Sequence, residues 1–181
     1  MFTDHMLAAT LEQLDVHFVV APTNGQANTP ISPEILLSGL ATSEEARMRL
    51  ALIPLFLRHP HYAAYVKEAL KRLTPAQQTV LCCYYTAAQL LQQQHHDQLT
   101  TLFGSCDPLP ALFEDALRLY NLPNPESIDE RLHRLAARQS ELSGRSLNWY
   151  GTYEHAYTRL VRHEKQRQRW QRSLSHKLKN S

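Results

Sequence analysis

Glycine is scarce in this chain: Gly25, Gly39, Gly104, Gly144 and Gly151 are the only five in 181 residues, and no two are close together. No loop can therefore bring consecutive backbone amides against a phosphate, and the motifs G-x-G-x-x-G, G-x-x-x-x-G-K-[ST], G-x-S-x-G and H-E-x-x-H are all missing. Nucleotide hydrolysis on a phosphate loop is disfavoured on that ground. Cysteine is equally sparse, at Cys82, Cys83 and Cys106. Adjacent side chains on a helix point about 100° apart, and no C-x-x-C spacing exists, so zinc and redox motifs are lacking. Reduced, partly buried thiols are the expectation, which implies a reducing compartment. The longest apolar run, Leu50 to Leu57, has eight residues, where a bilayer needs about 20. The opening Met1-Phe2-Thr3-Asp4-His5 lacks the basic-then-apolar pattern of a signal peptide. These absences predict a cytoplasmic protein with no membrane partner.

What the chain does contain is helix-forming material. Hydrophobic residues make up 43% and charged residues 20%, with Leu, Ala, Gln and Arg abundant. A chain of this length can bury roughly 70% of its unfolded surface, enough for a core without metal or disulfide. The spacing predicts an all-α, single-domain bundle of roughly eight helices. Thr3 caps a first helix to about Leu14, and Val16 to Val20 reads as a short extended segment. Thr23 to Pro30 is a polar connection. Ser32-Pro33-Glu34 opens a short helix that Gly39 is expected to end. Thr42-Ser43-Glu44-Glu45 opens another to Arg58, kinked at Pro54. His59-Pro60 starts a helix facing Ala63, Val66, Leu70 and Leu73 inward. Thr74-Pro75-Ala76-Gln77 is a capping box for a long helix to about His95, the expected spine of the core. Helical pattern resumes over Asp97 to Phe103 and breaks from Gly104 to Pro108. Pro110 is expected to begin a helix to Tyr120, and Asn124-Pro125-Glu126 another that turns Ile128, Leu132, Leu135 and Leu142 inward and stops at Gly144. The last helix begins between Asn148 and Thr152 and reaches Lys177 or beyond.

Ten histidines raise the question of metal binding. His59-Pro60-His61 and His95-His96-Asp97 are the densest groupings, but a zinc site needs three or four convergent ligands and neither supplies them alone. No catalytic, cofactor-binding or metal-binding set is assigned.

Two segments carry the remaining information. Between Gly144 and His163, Trp149, Tyr153 and Tyr157 recur every fourth residue, with Arg145, Asn148, Tyr150, Glu154 and His155 nearby. Such a stripe is either core packing or an aromatic recognition surface. A pocket near Arg145, Tyr153 and His155 is the place where an enzyme would have to work. Beyond it, residues 159–181 hold eight Lys/Arg and one acid, whereas residues 1–158 hold eleven basic and sixteen acidic residues. An acidic helical body thus continues into a basic amphipathic helix. At about 100° per residue, Arg162, Lys165, Arg169, Arg172, His176 and Lys179 share one stripe. Ala156, Leu160, Trp170, Leu174 and Leu178 lie opposite, interrupted by His163 and Arg167.

The pairs Arg159/His163 and Arg172/His176 place an arginine and a histidine on one helix face. A small all-helical chain resembles the HEPN ribonucleases in fold class only, which implies a helical nuclease as a second alternative. The family's motif sets four to six residues between Arg and His, whereas three intervene here, so no catalytic residue is carried over. The leading expectation is a non-enzymatic interaction or regulatory protein, a small subunit or antitoxin-like partner in a larger bacterial-type complex. Its contact residues would be Arg145, Trp149, Tyr153, Tyr157, Trp170, Leu174 and Leu178. The alternative is nucleic-acid binding through Arg162, Lys165, Arg169, Arg172 and Lys179. No cofactor is implied by either.

Overall fold

Helix punctuation sets the architecture. The computed structural model describes residues 3–17, 31–104, 107–119 and 127–179, with side chains through Ser175. Thr3 caps α1 (Asp4–Gln13), its hydroxyl accepting from the Met6 amide. Pro33 opens α2 (Pro33–Thr42), which runs straight through Gly39. The missing Cβ explains why Gly39 is no stop: an added methyl would lie 2.8 Å from Leu7 Cδ2, so the glycine lets α1 and α2 approach. The helix expected from Thr42 to Arg58 is two, α3 (Ala46–Leu50) and α4 (Leu52–Arg58). They break at Ala51, and Pro54 sits in the first turn of α4, where a missing N–H leaves no helical bond unmade.

Pro60–Tyr65 is a 3-10 helix that leads into α5 (Val66–Leu70). Thr74 and Gln77 form the reciprocal capping box that opens α6 (Pro75–Gln94). Every residue of α6 from Cys83 to Gln92 is buried, and α6 packs chiefly on α4 and α8. It is the spine. α7 (His96–Phe103) follows with only His95 between.

The helix expected from Pro110 does not form. Pro108 and Pro110 donate no backbone hydrogen bond and bias the residues before them to extended conformations. Buried α6 side chains then hold the extended chain. Gln92 donates to the Asp107 carbonyl and accepts from the Leu109 amide, while the Tyr85 hydroxyl donates to the Pro110 carbonyl. Leu109, Phe113, Leu117 and Leu119 are buried along this segment.

α8 (Ile128–Ser143) starts from a capping box of Ser127 and Glu130 and ends at Gly144 in the left-handed conformation, φ 64°. Asn124-Pro125-Glu126 and residues 18–20 and 23–30 lie outside the described residues. Val16, where the extended segment was expected to begin, is buried beside α1. Leu142 turns outward rather than inward. Finally α9 (Trp149–Lys179) opens with Asn148 accepting from the Gly151 amide. The result is an all-α bundle around one buried hydrophobic cluster, with no strand among the described residues. No helix of the described residues is long and apolar enough to cross a membrane.

Candidate functional site

α9 passes through three surroundings, and the sequence-predicted site residues divide among them. In the first, Trp149 to Val161, the helix is part of the core. Trp149 is 9% exposed and Tyr153 0%, and Ala156, Tyr157, Leu160 and Val161 are buried with them. Their polar atoms are engaged. The Trp149 indole N–H donates to the Arg145 carbonyl, and the Tyr153 hydroxyl donates to Gln139 Oε1 in the interior. Tyr157 donates to Gln98 Oε1 and stacks on the His95 ring at 3.9 Å. Burial raises the hydroxyls of Tyr153 and Tyr157, the latter to about 12. Tyr150 donates to Asp129 and stacks on His133. The stripe Trp149, Tyr153 and Tyr157 is therefore internal packing, not a face presented outward.

Arg145 is exposed and lines a groove of about 520 Å³ with Arg49, Tyr84, Gln139, Leu142 and Trp149. Tyr153 is buried beneath that groove, and His155 is exposed elsewhere, lining a hollow with His17, Arg159, Arg162 and His163. The three residues suggested as a pocket thus belong to three places. His163 stacks on His17 at 4.4 Å. His59 Nε2 lies 2.7 Å from the Leu14 carbonyl and packs against the His61 ring. Among the described residues no group of three or more His, Cys, Asp or Glu converges as metal ligands.

The second surrounding, His163 to Gln168, is an ionic anchor that sequence reasoning missed. Glu164 is 3% exposed. It accepts from Arg58 Nη1 at 3.0 Å and from Arg167 Nη2 at 2.9 Å and Nε at 3.1 Å. Asp15, just past α1 with φ 56°, accepts from Arg58 Nη2 at 3.1 Å and Arg167 Nη1 at 3.3 Å. Arg58 also lies over the Phe103 ring. Burial alone would raise the Glu164 carboxyl, but the hydrogen bond from Arg167 and the charges of Arg58 and Arg167 outweigh it and hold the group below its ordinary value. Gln168 donates to the Leu102 carbonyl, clasping α9 to the end of α7. One signal could have pointed here: Glu164 is the only acid among residues 159–181.

In the third surrounding, the helix leaves the body. Residues 169–175 are all exposed, Trp170 at 74% and Leu174 at 50%. The side-chain hydrogen bonds of this stretch stay within the helix, from Ser173 to the Arg169 carbonyl and from Ser175 to the Gln171 carbonyl. Lys177, Leu178 and Lys179 continue it, their side chains outside the described set. At about 1.5 Å per residue, Arg169 to Lys179 projects roughly 16 Å. Arg162, Lys165, Arg169 and Arg172 are exposed, and among the described residues none of them forms an ion pair.

No family model, no curated protein and no solved structure matches this chain.

Proposed function

We propose that this chain is a helical interaction protein, a small subunit or antitoxin-like regulator, which seats the projecting end of α9 in a groove on a partner protein. The observation that supports this most is the exposure of Trp170 and Leu174, one turn apart on a helix that has left its own body. Tryptophan carries a large apolar area and is enriched at binding hot spots. An isolated helix of this length is marginal in water, and here the first turns of α9, fixed by the core, supply its nucleus. The apolar stripe continues the line of Leu160, His163 and Arg167, so a partner would meet Trp170 and Leu174 and abut the body at His17. Arg169 flanks Trp170, and residues 159–181 carry only one acid against eight cations. The fitting partner surface is an apolar slot with an acidic rim.

A photo-crosslinking residue in place of Gln171, used in cells, identifies the partner. Titration of that purified partner then compares the parent chain with Trp170→Ala. The expected result is affinity weakened at least about 30-fold, the signature of a hot spot worth about 2 kcal/mol, with an unchanged melting curve for the free chain. Full affinity of Trp170→Ala, or collapse of its fold, contradicts the proposal.

A further inference from the structure

We propose that the cationic face of α9, turned away from the Trp170 stripe, binds the phosphate backbone of a nucleic acid. Arg162, Lys165, Arg169 and Arg172 fall at intervals of three, four and three residues, about 15 Å along one side of the helix. That run spans several nucleotides of either a duplex or a single strand.

Five cations between Arg162 and Arg172 are of two kinds. Arg167 points inward and is neutralised, with Arg58, by Glu164 and Asp15. None of the four outer cations is held by a carboxylate at ion-pair distance among the described residues, and the one acid of the segment, Glu164, is buried and saturated. Below them lies a concavity of about 400 Å³ between α7 and α9, lined by Arg162, Lys165 and Arg169 with Gln98, Tyr157 and Thr158. Phosphates laid along this hollow would pass Arg162, Lys165 and Arg169 in turn, beside neutral hydrogen-bonding groups. Four cations along one side of a helix can meet the phosphates of any sequence, so binding should depend little on sequence.

The two proposals share Arg169, but Arg162, Lys165 and Arg172 can be altered without touching Trp170 or the arginine beside it. The test is fluorescence anisotropy of the full chain with labelled single-stranded RNA, single-stranded DNA and duplex DNA of mixed sequence over a salt series. With three to four phosphate contacts, duplex affinity should fall about 40- to 150-fold between about 50 and 200 mM salt. The combined substitution Arg162→Gln, Lys165→Gln and Arg172→Gln should lower the duplex salt slope by about 2.7. It should leave the melting curve in place, since all three side chains are exposed. Trp170→Ala should bind as the parent does. Binding of any one polymer with these properties supports the inference and names the polymer. Silence of all three at about 50 mM salt overturns it, as does binding that survives the triple substitution or depends on Trp170 instead.

Discussion

Arg58 ties α9 to the end of α1 just before the helix leaves the body. Its guanidinium reaches Glu164 with one nitrogen and Asp15 with the other, and Arg167 bridges the same two carboxylates. A buried ion pair adds little net stability against a hydrophobic replacement, yet removing one partner leaves a charge stranded in low dielectric. Arg58→Ala leaves Glu164 to Arg167 and Gln168 and should cost about 1.5–3 kcal/mol in urea unfolding, and Arg58→Met with Glu164→Leu should restore most of it. If the single substitution costs under about 1 kcal/mol, Glu164 is better hydrated than its burial shows. The pH dependence has a definite sign. Glu164 and Asp15 both titrate below their ordinary values in the folded state. Their contribution is full above the unfolded value of 4.5 for Glu164 and is lost as pH falls through the depressed folded value. The stability gap between the parent and Glu164→Gln should thus be widest near neutrality and close progressively as pH falls below 4.5. A gap that widens on acidification would contradict the arrangement.

Beyond the lone acid Glu164 and its i,i+3 neighbour Arg167, this anchor was not visible in the sequence, because Glu164 lies 106 residues from Arg58 and Arg167 lies 152 from Asp15. His163 and Arg167 read as interruptions of an apolar stripe, whereas they face the end of α1 and hold the helix there.

At the scale of elements, some local cap signals proved readable and others did not: Thr42, expected with Glu45 to cap a new helix, instead ends α2 and donates to the Gly39 carbonyl. Thr74 with Gln77 and Gly144 at the end of α8 act as their chemistry dictates. Expectation and structure part where a long-range contact overrides local preference: Gly39 serves packing against Leu7, and Gln92 and Tyr85 hold residues 107–110 out of a helix. The tyrosine spacing on α9 was equally plain, but a period of four residues is the same for a core stripe and a docking stripe. Only the positions of Gln139, Gln98 and α8 decide that Tyr153 and Tyr157 face inward while Trp170 does not. The division of α9 at Gln168 predicts that a chain ending there keeps the parent's unfolding free energy within about 0.5 kcal/mol, since exposed side chains away from the core contribute little. Equilibrium urea unfolding checks it. A loss of several kcal/mol would mean that residues 169–181 pack on the body.

Across the whole molecule, charge and apolar exposure have been segregated. The hydrophobic cluster runs from Leu7 to Val161 in the chain and ends where α9 becomes amphipathic in open water. The acidic excess sits in residues 1–158 and the basic excess in residues 159–181, so the projecting helix is electrostatically distinct from the body that holds it. Trp170, 74% exposed, and Leu174 are the apolar side chains that the proposed partner would cover. The most direct test of this division is native-state hydrogen exchange along α9 in the isolated chain. Amides from Tyr153 to Arg167 should exchange only through near-global opening, while those beyond Trp170 should exchange through local fraying, orders of magnitude faster. Uniform protection through Ser175 would show that the end of the helix is already covered by its own protein and would contradict the account.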